Sequence, residues 1–395
     1  MLPLKNVRVL DLTALRSFTT MELADHGAEV IKIEQPGCGD PIRSMPPFYR
    51  DTAVYHAYVN RGKKSVTLDI TKEEGKQIFF ELVRNSDVVV ENLENGKLDS
   101  LGLGYETLRE INPKLIYARL SAFGDNGPCK DYVGSDIVAQ ARGGCMDITG
   151  FPEPNPPYQV GAYVGDHYAS TFLSGAIMLA LFHARATGFG QKVETSLFDA
   201  AFSATEDRVA MVDKSDVGWT RTGNAHPSIN PYDIYKCKTG YVAIGISTDP
   251  QWQRFCEEFG HPEWSEDPKY VTNEKRGENY FGDLQEKMEE VFSHYSNHEV
   301  SERCDKVIVP AAAVNTTEEA INQDQIKVRK LITSVEDPQL GTLKMAGSPI
   351  KYVVDGELEC EKPNPAPTLG QHNDEILGAI MNSAQLEALA AKGII

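Results

Sequence analysis

The run YVGDHYAS sets Asp166 directly after Gly165 and immediately ahead of a long apolar stretch that ends at Gly188 and Gly190. A carboxylate at such a point has two uses. As a helix N-cap it accepts hydrogen bonds from the free N–H groups of the first turn. As a nucleophile it presents an ionised oxygen at a helix start, where the dipole contributes about 0.3–1 kcal/mol toward keeping it charged. Burial works the other way and raises a carboxyl pKa by up to about 3–5 units. The residue types alone therefore leave capping and chemistry both open.

Other chemistries lack their residues. The segment after the first apolar run, ALRSFTTMELADHG, has no GxGxxG through which a dinucleotide pyrophosphate reaches a helix N-terminus, and no GxxxxGKS/T loop occurs. Seven cysteines are scattered without a CxxC pair, and nine histidines form no HExxH. Free thiols and no metal are expected. The net charge of -18 opposes binding to nucleic acid or to an anionic membrane surface. The apolar run Phe172–Phe182 is too short to span a bilayer, and the first residues, MLPLKNVRVLDLT, lack a signal-peptide core. A cytoplasmic protein without membrane or nucleic-acid partners is expected.

A chain of 395 residues suggests roughly two or three units. In its first third, β-branched runs alternate with amphipathic stretches, which predicts an α/β layer with a parallel sheet. Strands are expected at Val7–Leu12, Val30–Ile33, Val66–Asp69, Val88–Glu91 and Leu115–Leu120, with a helix over Glu73–Asn85. The stretch after Asp166 is apolar nearly all round and reads as a helix buried between layers. Val193–Phe198 has strand character, and a helix is expected from Asp199 onward. The pair YDIYKCKTGYVAIGI, turning at Lys-Thr-Gly, opens a smaller α+β domain. The expected division is a large domain over 1–219, a small one over 220–325, and a return segment over 326–395 that completes the large domain.

Eight segments in order, LADHGAEVIKIEQPGCGDPIR, NRGKKSVTLDI, SDVVVENLENG, INPKLIYARLSAFGDNGP, GSDIVAQARGG, VGDHYAS, GFGQKVETSLFDA and PAPTLGQHNDEIL, resemble the landmarks of family III CoA-transferases. This group includes the formyl-CoA and carnitine CoA-transferases, the CaiB/BaiF type. The resemblance implies a Rossmann-like large domain and ring-shaped subunits in an interlocked homodimer. It implies transfer of coenzyme A from an acyl-CoA to a carboxylic acid, with Asp166 as the covalent carrier. Coenzyme A thioesters and small carboxylic acids would be substrates, and no prosthetic group is needed.

The same resemblance assigns further positions. Leu15, Arg16 and Ser17 match a loop that touches coenzyme A and the reacting group, Leu68 and Asn92 match positions lining the coenzyme A site, and Asp136 matches an acidic residue near the reacting centre. Arg16 is suited to hold a carboxylate bidentately. Ser100 stands where relatives carry a base, so Lys97 is the candidate to replace it. The loop RTGNAHPSINPY lacks the glycine run of formyl-CoA transferases, and reads either as an ordinary polar connection or as a loop whose Asn224 and His226 line the mouth. Phe18, Met45, Pro46, Phe48 and Tyr49 could form either an acyl pocket or core and dimer contacts. Two rivals stay in view. An acyl-CoA racemase needs an acid and a base across the α-carbon, but its histidine is replaced by Ser135. A non-catalytic coenzyme A-binding protein would have no use for Asp166.

Overall fold

Runs rich in valine and isoleucine form the central sheet. A computed structural model describes residues 2–15, 17–214, 221–355, 357–359 and 362–395. The strands are β1 (Arg8–Asp11), β2 (Glu29–Glu34), β3 (Lys64–Thr67), β4 (Val88–Glu91), β5 (Ile116–Ser121) and β6 (Lys192–Ser196). They lie in the order β3-β2-β1-β4-β5-β6, and each neighbouring pair is parallel. A sheet covered on both faces calls for continuous apolar runs, and Val88, Val89 and Val90 are all fully buried. The strand order reverses between β1 and β4, which opens a crevice beyond their C-terminal ends.

Helices α1 (Phe18–Asp25), α2 (Glu73–Arg84), α3 (Asp136–Arg142), α4 (Val164–Thr187) and α5 (Leu197–Ser203) accompany the sheet. The expected spacing on α2 is realised, with Ile78, Phe79, Leu82 and Val83 buried and Glu73, Glu74 and Arg84 placed to suit the helix dipole. This face joins Leu10, Ile31, Val66 and Val89 in one apolar cluster, together with Ile376, Leu377 and Ile394.

Three local expectations are corrected. The third strand stops at Thr67, and the N–H groups of Leu68 and Asp69 go instead to the carbonyls of Glu34 and Ile394, both at 2.8 Å. The sixth stops at Ser196, whose Oγ accepts from the Asp199 N–H at 3.0 Å and so caps α5. Helix from Asp199 onward is broken at Glu206, where φ is 53°, and resumes as α6 (Arg208–Lys214).

α4 departs furthest from expectation. It has 24 residues and is long and apolar enough, by length and composition, to cross a membrane. In the fold Ala169, Leu173, Ile177 and Ala180 are buried, and the helix packs on α1, α5, β5 and β6. Phe172, Leu179 and Phe182 stand on the other side, the last two 73% and 77% exposed. The helix is therefore buried on one face and apolar on both.

Two compact units divide the chain. One comprises Met1–Gly144, Gly161–Thr205 and Asp324–Ile395, and the other Cys145–Val160 and Glu206–Gln323. In the second unit β7 (Tyr232–Lys236), β8 (Tyr241–Gly245) and β9 (Ala311–Ala313) form an antiparallel sheet in the order β9-β8-β7. The turn between β7 and β8 needs Gly240, at φ +67°. Helices α7 (Asp249–Glu258), α8 (Gln285–Phe292) and α9 (Asn297–Lys306) surround a core that includes Trp252, Phe255, Phe292 and Val300.

Candidate active site

Asp166 is not the cap of α4. The cap position is Tyr163, and Asp166 is the third helical residue, 6% exposed. Its main-chain N–H, one of those a helix start leaves without an internal partner, donates to Asp136 Oδ1 at 3.1 Å. Asp136 opens α3 and takes the Gln140 amide on its other oxygen at 2.6 Å. A carboxylate of one helix thus caps the next. Gly165 permits the approach, since a Cβ there would lie 3.1 Å from Asp136 Oδ1 and 3.5 Å from the Ala139 Cβ.

α1 ties this turn to the loop that follows β1. The ring of His167, the residue after Asp166, stacks on Phe18 with centroids 4.1 Å apart. Farther along, Thr19 Oγ1 donates to the Ser170 carbonyl at 3.3 Å and Ser174 Oγ to Glu22 at 2.6 Å.

Beneath that loop lies a buried ion cluster. Lys63 Nζ reaches Asp11 Oδ2 at 2.9 Å, Ser17 Oγ at 2.9 Å and Thr20 Oγ1 at 2.7 Å. Lys32 Nζ pairs with Asp40 at 2.8 Å and donates to the Thr13 carbonyl at 2.6 Å. Burial pushes the Asp11 carboxyl upward, but Lys32 and Lys63 outweigh it and hold the group well below the usual carboxylate range. Burial pushes Lys63 down to about 8 against the pull of Asp11. At the end of β4, Glu91 pairs with Arg119 of β5 and accepts from the Leu93 N–H at 2.8 Å. Burial raises its pKa in spite of the arginine.

The positions singled out from sequence fall in different places. Asn92 is joined to the loop after β1: its Oδ1 accepts from the Ala14 N–H at 2.8 Å and its Nδ2 donates to the Ala14 carbonyl at 2.9 Å. Leu15, next along, is 41% exposed, and Ser17 is buried on Lys63. Arg16 lies outside the described residues. Leu68 is buried in the apolar cluster around α2. Lys97 and Ser100 are exposed on a short helix, Lys97–Ser100. Phe18 is buried with Met21, Ile42 and Val59, whereas Met45, Pro46, Phe48 and Tyr49 are exposed. In the second unit Asn224 is exposed, and His226 Nδ1 accepts the N–H groups of Ser228 and Ile229 at 3.1 and 3.0 Å.

The structure thus joins Asp136 to Asp166 and Asn92 to Ala14, with Phe18 and His167 linking the two. Sequence reading passed over Asp11, Lys32, Asp40 and Lys63. For Asp11 and Lys32 the signal was a charge inside an otherwise apolar strand, as in VLDL and VIKI, which burial requires to be paired; Asp40 and Lys63 lie outside the strands and carried no such signal.

The sequence matches CoA-transferase family III over residues 4–373. The chain belongs to this family. As a family III CoA-transferase it is 34% identical over 400 residues to the succinyl-CoA–D-citramalate CoA-transferase of Chloroflexus aurantiacus, covering 100% of this chain and 98% of that protein. It is 36% identical to the succinyl-CoA:mesaconate CoA-transferase of Haloarcula hispanica, over 95% of each. A crystal structure of a CaiB/BaiF family protein from Brucella suis superposes with a TM-score of 0.84 at 31% identity, covering 96% of this chain and 99% of that one.

Proposed function

We propose that this CoA-transferase moves coenzyme A from succinyl-CoA to a five-carbon dicarboxylic acid, with Asp166 as the covalent carrier. The donor and the acid class follow the two curated relatives. The carrier rests on one observation: Asp166 sits in the first turn of α4, shielded from solvent and fixed through its own N–H by Asp136.

An Asp166 oxygen attacks the thioester carbonyl and expels the coenzyme A thiolate, leaving a mixed anhydride. The thiolate attacks the aspartyl carbonyl of that anhydride and releases the donor acid, so coenzyme A now rides on Asp166 as a thioester. The acceptor carboxylate repeats the first step on this thioester, and the thiolate finally takes the acceptor acyl group and returns Asp166 to its carboxylate. Each bond broken is replaced by one of similar kind, so one difficult exchange becomes four easier ones. The positive end of α4 favours the anionic carboxylate at the start and the oxyanions in between. Shielding matters because an anhydride open to water would be hydrolysed. Arg16, on the sequence resemblance alone, is the candidate for the second carboxylate of the acid.

The protein is further proposed to act as an interlocked homodimer of ring-shaped subunits, an assembly that would cover the outward face of α4. Free thiols at Cys38, Cys129, Cys237, Cys256 and Cys304 suit a reducing compartment, and we place it in the cytoplasm.

The test is isotope exchange. With succinyl-CoA and labelled mesaconate or citramalate, label should enter the CoA ester pool, and Asp166→Ala should lower the rate about a thousandfold or more. Wild-type turnover in that variant would rule the carrier out.

A further inference from the structure

Open α/β sheets receive ligands where the strand order reverses, and in this sheet that crevice is spanned by a side chain. Asn92, the residue after β4, holds Ala14 in the loop after β1 by both polar groups of its main chain, at 2.8 and 2.9 Å. The neighbours of Ala14 are held just as closely. The Thr13 N–H goes to Asp11 Oδ1 at 2.9 Å, the Thr13 carbonyl accepts from Lys32 at 2.6 Å, and the Leu15 N–H goes to Asp40 Oδ1 at 2.9 Å. Every main-chain polar group from the Thr13 nitrogen to the Leu15 nitrogen therefore ends on a side chain rooted in the sheet, at Asn92 just past the end of β4, or at Asp40. Surface loops ordinarily leave many such groups to water.

This clamping has an effect on Leu15. Its φ is +65°, a left-handed conformation that a non-glycine residue seldom takes, and its side chain is 41% exposed. Strain of this kind persists only where the surroundings over-determine it. The same loop runs through Ser17 into Phe18, whose ring stacks on His167 beside Asp166.

We propose that Asn92 is a positioning residue whose amide clamps Ala14, so that Leu15 stands as a preformed apolar wall of the crevice that receives coenzyme A. The inference deepens the acyl-transfer reading above and rests on it for the location of the site. It differs from a role for Asn92 as a coenzyme A contact, because the amide is engaged with the loop at both ends. Without the clamp, the loop would have to be ordered when coenzyme A binds, so the loss falls on affinity and KM rather than on kcat.

Calorimetric titration of the full-length chain with free coenzyme A reads the clamp without turnover. Asn92→Ala should weaken coenzyme A about tenfold, Leu15→Ala should weaken it as well, and the double variant should be no weaker than the worse single one, because the clamp acts through Leu15. With succinyl-CoA and mesaconate, the KM for succinyl-CoA should rise in parallel. Unchanged affinity in Asn92→Ala, or strictly additive losses in the double variant, overturns the proposal. Should Asn92→Ala fail to fold, Asn92→Asp keeps an acceptor for the Ala14 N–H and loses the donor to its carbonyl. That variant should show the same pattern at smaller size, and wild-type affinity in it overturns the clamp. Failure of the wild-type chain to exchange label, with the titration pattern intact, would sink the acyl-transfer reading while the clamp stands.

Discussion

The charged residues that matter most in this chain are buried in pairs, and their protonation sets a direction for stability against pH. Burial raises the Glu34 carboxyl, but two bonds from Arg43 at 2.8 and 2.7 Å and one from Ser65 at 2.6 Å bring it down to about 2, from an ordinary value of 4.5. Burial and then Arg43 lower His56 to about 4 from 6.5, and the arginine donates to its Nε2 at 3.1 Å. Both groups hold fewer protons in the folded chain than in the unfolded one, so stability from each is complete above the unfolded value and is lost on acidification. Thermal unfolding followed from pH 7 downward should therefore show Tm falling through about 6.5 to 4 from His56, and further through about 4.5 to 2 from Glu34. Glu34→Gln should flatten the lower window. A Tm that rises on acidification would contradict the pairing.

At the scale of elements, the buried face of α4 carries the packing on which Asp166 depends. Leu173 is fully buried on that face, and Leu173→Ala should cost about 2–5 kcal/mol in denaturant unfolding. A loss below about 0.5 kcal/mol, the range of surface substitutions, would mean that the face is not packed as described. Periodicity made β1, β2, β4, β5 and α2 legible, because a covered parallel strand and a one-faced helix each impose a simple pattern. It could not show which face of α4 is covered, since both faces are apolar. Nor could it show that Asp166 stands inside the first turn, because that depends on α3 approaching over Gly165, a contact between segments about thirty residues apart in which Asp136 caps the neighbouring helix. Asp136, Asp166 and Asn92 were visible through resemblance to relatives. Asp11 and Lys32 were spelled in the strands, but their cluster with Lys63 has meaning only once β1, β2 and the residue ahead of β3 lie side by side.

For the whole molecule, the exposed apolar face of α4 is the feature to be accounted for, since contiguous patches of this kind mark interaction surfaces. The proposed homodimer would cover it. Because interlocked rings do not part once formed, Leu179→Asp combined with Phe182→Asp should lower the yield of dimer on refolding from denaturant, read by light scattering at micromolar concentration, and an unchanged yield would place the interface elsewhere. The proposed chemistry needs one carboxylate, that of Asp166, to exchange acyl groups with coenzyme A. Mass spectrometry of the peptide containing Asp166, taken after brief incubation of the protein with succinyl-CoA and acid quenching, tests this most directly. A succinyl or coenzyme A adduct is expected on Asp166, and it should disappear when a carboxylic acid acceptor is added. An unmodified Asp166 in a sample that turns over, or an adduct on another residue, would contradict it.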